Sequence, residues 1–491
     1  MDSAADEWEE KSEVSWYDNR SKGRRTLECV LLNLCGIAWA TDNNLLPAMF
    51  TEMKEFFNVG PAELSVLIMV RGITESLASF PAGFMAEIVP RPKLVCAGAL
   101  LWAAGLFGCG VATKWWQVIL ARGINGVGLG VVQPLIQSLI ADLNAPDQRG
   151  GAFGVFQFTG NIGSTGGTYM ATSLAPLIIW GIMGWKFTLF LIGFLSALIG
   201  LGIMLLVGEP NTAKHEDGQK QSLISVFKEN WPSVVKIMRI PTFLCIIGQG
   251  SFGIAPWFAF SFLTMWLELL CFPNTEAAGI YAFFGLGQAF CGLFGGFILD
   301  KVMRRFPDHG PPNLCIGSVA VGIPILYLIL FSLGDSVDQA SIASGEMGTV
   351  WYFRIAFFSF GLIISGNAII NNTLFSNIVP QAIFAYVYAV DRAVEGTIGA
   401  FGSPAVGYAA EKLFHYNKTA AEGHECSPPD AHSLGSGVFA VSAFAWGMCG
   451  VFYIGLHFTY PADRRRGEQD LVPGDGTKPV IDMFEDEDSE E

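Results

Sequence analysis

Apolar stretches long enough to cross a bilayer recur along almost the whole chain, broken by short polar turns. They fall at 27–49, 62–88, 94–113, 115–142, 151–175, 186–208, 240–268, 277–301, 312–333, 350–376, 384–410 and 435–459. About 20 residues of helix span the hydrocarbon core, so the pattern predicts an all-α membrane protein of twelve transmembrane helices. Many of these stretches contain Gly, Pro or a single charge, residues that face other helices or a cavity rather than lipid. The main polar break, 209–239, divides six helices from six. The chain therefore divides into an acidic tail ending in a basic juxtamembrane cluster (1–25), a six-helix bundle (26–208), a linker (209–239), a second six-helix bundle (240–460) and an acidic tail (461–491). Within the linker, the stretch 222–231 reads as a short amphipathic helix lying on the membrane surface.

One short pattern appears in both halves. Gly83, Glu87 and Arg91 close the second stretch, and Gly296, Asp300, Arg304 and Arg305 close the eighth. A glycine, an acid four residues on and a base four residues later, at corresponding places, imply two pseudo-symmetric bundles, an architecture of transporters. The acids and bases of these loops are the expected gate.

Composition sharpens this picture. The chain is 51% hydrophobic and 15% charged, and residues 1–20 and 467–491, at the ends of the two tails, together carry 14 of its 15 net negative charges and read as solvated extensions rather than as a site for a basic partner. Lys and Arg concentrate before the first span and after the second, eighth and twelfth, which places both termini in the cytoplasm. No leader for cleavage is evident. Most cysteines lie within spans without metal-ligand spacing; Cys271 and Cys426 sit toward the opposite side, where they could pair. Asn417-Lys418-Thr419 is a glycosylation sequon on that side. No phosphate-cradling loop, metalloprotease motif or nucleophile elbow occurs, so neither an enzyme nor a cofactor or metal site is expected. The expected partners are the bilayer, protons and a small organic or lipid-like substrate, with no nucleic acid, and the chain is expected to be a monomer.

The chemistry lies in charges within the spans, which are costly and functional by default. At 1.5 Å rise per residue, Asp42 lies ~12 Å from the outer end of its helix, Arg122 ~10 Å and Arg71 ~13 Å, so the three can share a layer. Glu75 and Glu395 fall near the midplane. Asp391 and Glu395 are one turn apart on the eleventh span, with Arg392 beside them; aligning Pro146 with Pro380 places Gln157 and Asn161 at the equivalent sites of the first half. Asp42, Arg122 and Glu75 are the candidates for proton coupling; Arg71, Arg122, Gln157, Asn161, Asp391, Arg392 and Glu395 are candidates for holding substrate. Two cations against Asp42 should leave the layer attractive to an anion. Glu28 and Glu268, near span ends, should reach water. In the fourth span, Gly126, Gly128, Gly130 and Pro134 allow close backbone approach and a bend.

The two loops, the Arg-Gly-Gly-Pro series of the fourth span, the glycines 160, 163, 166 and 167 of the fifth and Gly184-Trp185-Lys186 opening the sixth together resemble the major facilitator superfamily. The resemblance covers residues 25–460 and implies the major facilitator fold. Glu87, Ile88 and Pro90 depart from the usual Asp, base and Gly of the first loop. Within that superfamily, Asp42 with Asn43, Asn44 and Pro47, Arg71, Arg122 and Asp391-Arg392 with Glu395 look most like the spinster-like transporters and their plant and algal relatives. That resemblance implies a secondary active transporter working by alternating access, with a lipid-like amphiphile as substrate and proton coupling. The alternatives are a facilitator of a small polar organic solute and a transporter-like receptor without flux.

Overall fold

The computed structural model describes residues 22–86, 88–144, 149–209, 231–232, 234–336, 347–376, 378–379, 384–417 and 427–470. Twelve helical rods of membrane length run through them: α1 (Lys22–Leu45), α2 (Pro61–Met85), α3 (Arg91–Val111), α4 (Trp115–Leu143), α5 (Arg149–Leu174), α6 (Gly184–Leu206), α7 (Pro241–Leu269), α8 (Asn274–Arg305), α9 (Gly310–Leu333), α10 (Met347–Ile364, continued by Gly366–Ser376), α11 (Phe384–Gly399, continued by Gly402–Tyr408) and α12 (Pro428–Asp470). Among the described residues, eight rods are long and apolar enough to cross a membrane on composition alone. Rods α1, α5, α8 and α11 are not among them, and α1, α5 and α11 carry polar residues of the candidate site.

Prolines and glycines shape the rods. Pro61, Pro92, Pro241 and Pro311 open helices within the first turn, where a missing N–H costs nothing. Pro134 lies inside α4, which continues past it to Leu143. α7 is irregular, breaking at Gly253–Ile254 and again in a 3₁₀ turn at Phe260–Phe262, because Pro256 cannot extend the preceding ladder.

The halves repeat one packing scheme. α1 packs on α5, α2 on α4 and α3 on α6 in the first; α7 packs on α11, α8 on α10 and α9 on α12 in the second. The halves meet through α2 against α11 and α5 against α8. The face where α1 begins and α12 ends is called here the terminal face, and its opposite the far face. On the far face a short helix, Phe50–Phe57, leads from α1 to α2 and is anchored by Trp185, whose ring centroid lies 5.4 Å from that of Phe56.

Candidate functional site

The glycines of α4 bring the charges of α2 against it. A Cβ at Gly126 would lie 2.7 Å from the Arg71 carbonyl oxygen, and one at Gly130 would collide with the carbonyl of Glu75. Gly128 faces the other way, onto the backbone of Gly98 and Trp102 in α3. Backbone contact of this kind is open only to small residues, and here it fixes the turns of α2 that carry Arg71 and Glu75.

Asp42 of α1 enters between α2 and α4, with no exposure to solvent. Arg122 Nη1 lies 3.0 Å from Asp42 Oδ2 and 3.3 Å from Oδ1, and Nη2 donates to the Asp42 carbonyl at 3.3 Å. The same Nη1 donates to Asn125 Oδ1 at 2.7 Å, while Asn125 Nδ2 reaches Asp42 Oδ1 at 3.4 Å. On the other side, Arg71 Nε is 3.6 Å from Asp42 Oδ2, and its Nη2 pairs with Glu75 Oε2 at 2.9 Å and donates to Asn43 Oδ1. Trp39 Nε1 donates to the second Glu75 oxygen at 3.2 Å. The result is an alternating row, Arg122–Asp42–Arg71–Glu75, whose charges sum to zero. The surplus of cation expected from Arg71 and Arg122 is absent, because Glu75, one turn along α2, neutralises Arg71.

The second half holds its acids differently. Asp391 and Glu395 are buried on α11 and share the Arg392 guanidinium, at 3.3 and 2.6 Å from its Nη2. A separate polar set lies beside them: Asn371 of α10 donates to Gln249 of α7 at 3.2 Å and accepts from Tyr453 of α12 at 3.2 Å. Gln157 is exposed and Asn161 half-buried on α5, and neither makes a hydrogen bond among the described residues. The structure thus brings Asp42, Arg71, Glu75 and Arg122 together and Asp391, Arg392 and Glu395 together. It leaves Gln157 and Asn161 outside both groups.

The loop motif locks each half to itself. Arg91 is buried; its Nη1 reaches Asp142 and Ser138 at 2.6 Å, and its Nη2 reaches Glu209, just past α6, at 2.6 Å. Ser138 and Asp142 belong to the first half and Glu209 opens the linker, so in this structure Arg91 ties the start of α3 to α4 and to the chain just past α6. In the second half, Asp308, between α8 and α9, binds Arg464 of α12 at 2.9 Å. Arg304 is exposed, Gly83 and Gly296 have open space where a Cβ would stand, Glu87 lies outside the described residues, and only the backbone of Asp300 is described.

On the terminal face the Phe84 and Tyr386 rings stack across the halves at 4.9 Å, and a set of polar contacts joins the halves on the far face. Thr51 donates to Glu268 Oε2, Asn274 to Glu52 Oε1 at 3.1 Å, and the Ala62 N–H to Glu411 Oε1 at 2.9 Å. Lys54 Nζ donates to the Tyr416 hydroxyl at 2.9 Å. Burial lowers the Lys54 ammonium from its ordinary pKa, against the pull of Asp430 and Glu55, and raises the Tyr416 hydroxyl. Glu268 therefore does not reach water as expected; its Oε1 is sealed within the seam. Glu28 is likewise fully buried, accepting from the Gly208 N–H at 3.2 Å. Cys271 is disulfide-bonded, and Cys426 lies outside the described residues. Asn417 donates its N–H to Asp430 at 2.9 Å, while the rest of its sequon lies outside them, as does most of the stretch 222–231.

Two bundles with this packing, a buried charge row and a seam closed on one face match a known family over residues 31–407, the Major Facilitator Superfamily. The chain belongs to the Major Facilitator Superfamily. As a member of it, the chain is a multi-pass integral membrane protein. It is similar to protein spinster homolog 1 of Mus musculus, with 25% identity over 337 residues, 65% of this chain and 62% of that protein. Spinster homolog 3 of Mus musculus is 25% identical over 380 residues, 73% of this chain and 70% of its own length. The match to spinster homolog 1 thus spans under two thirds of that relative. Among solved structures, a bacterial homolog of the human lysosomal transporter Spinster, inward-facing and unoccupied, superposes with a TM-score of 0.71 at 17% identity, covering 91% of this chain and 99% of that one. A D-xylose–proton symporter superposes with a TM-score of 0.62 at 14% identity, over 86% and 97%. At these identities the structures establish the shared fold.

Sequence reasoning missed Asn125 and Trp39 in the row, and named Asn43 beside Asp42 without giving it a role there. Asn125 was legible, since it follows Arg122 by three residues and so shares its helix face.

Proposed function

We propose that the chain is a proton-coupled transporter of an organic anion, working by alternating access with both termini in the cytoplasm. The observation that carries this is the balanced row. With Asp42 ionised the row is neutral and each guanidinium is engaged; a proton on Asp42 leaves one positive charge uncompensated and loosens its hold on Arg122 and Arg71. An anionic group then completes the balance through charge-assisted hydrogen bonds. Proton and anion enter together because either alone leaves a buried charge, which costs several kcal/mol. The far-face seam, built of hydrogen bonds between halves, would part in the alternate state and the cavity re-form toward the other side. The similarity to spinster-like proteins supports an amphipathic substrate.

A neutral row also suits a neutral solute, so the two substrate classes need a direct comparison. In proteoliposomes bearing the purified protein, competition by phosphate- or carboxylate-bearing amphiphiles should exceed that of their neutral analogues, and an imposed proton gradient should drive uptake. Equal competition would favour a facilitator of polar solutes, and uptake indifferent to the gradient would remove proton coupling.

A further inference from the structure

The acids of α11 are not balanced as the α1–α2–α4 row is. Asp391 and Glu395 are 1% and 2% exposed and share a single guanidinium. Their remaining oxygens, Asp391 Oδ1 and Glu395 Oε1, are sealed from solvent with no hydrogen-bond partner.

Among the described residues, no neighbouring element supplies a second cation to the pair. α7 offers the backbone of Gly250, on which the Glu395 carboxylate rests so closely that a Cβ there would coincide with it, and the neutral Gln249. α10 offers Asn371 and the ring of Phe375, and α12 offers Cys449 and Tyr453. α2 offers Ser76, packed at Gly396, and Glu75, whose charge Arg71 already takes up. On α11 itself Tyr388 lies under the guanidinium, 5.2 Å from ring centroid to Arg392 Cζ. Among the described residues, the titratable and charged groups around the pair are therefore Glu75, Tyr388, Cys449, Tyr453 and Arg392.

Two ionised carboxylates against one guanidinium would leave a net negative charge in a low-dielectric interior, together with two unsatisfied acceptors. Both are expensive to bury. A single proton cancels the excess charge. Like-charged carboxylates at one site cannot both ionise freely, and their titration then belongs to the pair.

We propose that Asp391 and Glu395 form a proton-binding site in the second half, holding one proton between them, separate from Asp42. The site is built so that removing either acid removes the need for the proton, because the remaining carboxylate is matched by Arg392. Deprotonation, by contrast, leaves the pair with one negative charge too many. Arg392, whose side chain is 40% exposed, is then drawn further onto it.

Infrared difference titration of the purified protein in nanodiscs, without substrate, tests this by following the carboxylic acid C=O band as pH is raised. With Glu268, whose Oε1 is likewise sealed without a partner, replaced by Gln in every sample, the otherwise wild-type protein should lose a protonated carboxyl signal worth one acid per chain. Glu395→Gln and Asp391→Asn should each abolish that signal across the range, and Asp42→Asn should leave it. A signal surviving in both α11 variants, or vanishing in Asp42→Asn, would overturn the proposal. The double variant Asp391→Asn with Glu395→Gln, checked by gel filtration, serves if a single variant misfolds; a signal persisting there would also overturn it. With no substrate present, the outcome does not depend on whether the transported molecule is an anion.

Discussion

Replacing Asp42 by Asn changes one charge and almost no volume, at the one residue that contacts both arginines. Asp42 receives Arg122 at 3.0 and 3.3 Å and Arg71 at 3.6 Å, all without solvent access. Loss of the charge leaves Arg122, 2% exposed, with only neutral acceptors. Breaking a buried pair from one side costs about 3–5 kcal/mol. The amide keeps one acceptor oxygen, so the lower end is expected, about 3 kcal/mol. Removing Arg122 as well, in Asp42→Asn with Arg122→Gln, should recover much of that, since no unpaired charge then remains. The functional consequence is larger. A gradient of one pH unit supplies about 1.4 kcal/mol per proton, which corresponds to tenfold accumulation of substrate. In Asp42→Asn the row is permanently positive: it should bind anion at any pH, exchange it across the membrane, and accumulate none. Because a proton and a monoanion together carry no net charge, a potassium diffusion potential should drive little uptake in the wild type. Proteoliposome uptake under separately imposed pH and voltage gradients, with counterflow as the exchange assay, reads all of this. Gradient-driven accumulation by folded Asp42→Asn would refute the assignment of the proton to this row.

Three further outcomes follow from other parts of the molecule. Gly130→Ala should lower thermal stability in detergent by roughly 1–3 kcal/mol, the usual range for overpacking, because its Cβ meets the Glu75 carbonyl; an unchanged melting temperature would show that α2 and α4 can separate freely. Arg91→Ala should destabilise the first half by about 3–5 kcal/mol, as loss of one partner in a buried network does, without changing the accessibility of cysteines placed on the two faces. The third concerns Lys54, whose pKa is lowered when buried against Tyr416. A proton is thus bound more weakly in the sealed form than in the open one, so the seal strengthens as pH rises through the Lys54 range and weakens as pH falls. Labelling of a cysteine at Ala62 should decline with rising pH in the wild type and lose that dependence in Lys54→Met; a rise instead would refute the sign.

The helices were legible because membrane spans are written in local composition. Every expected stretch overlaps a rod, and ends differ by at most seven residues except that the last rod runs to Asp470, 11 beyond the expected 459. The meeting of Asp42, Arg71 and Arg122 was also legible, since helix rise converts position into depth. What depth cannot supply is direction around the helix axis. That Arg71 spends its charge on Glu75 follows from a spacing of four, visible in the chain, yet counting cations without it gave a surplus that does not exist. Gln157 and Asn161 were placed by symmetry alone, and the structure joins them to neither charged group. The partner of Arg91 lies 118 residues away, at Glu209. No local pattern distinguishes a base that locks its own bundle from one that latches the opposite bundle.

The two locks are mirror images in sign. In the first half a base at the start of the third helix grips an acid beyond the sixth; in the second half an acid between the eighth and ninth grips a base near the end of the twelfth. A swap of tails between the halves would set Arg91 against Arg464 and Asp308 against Glu209, like against like, so a nascent chain inserting two similar bundles in succession carries a built-in penalty for assembling them crosswise.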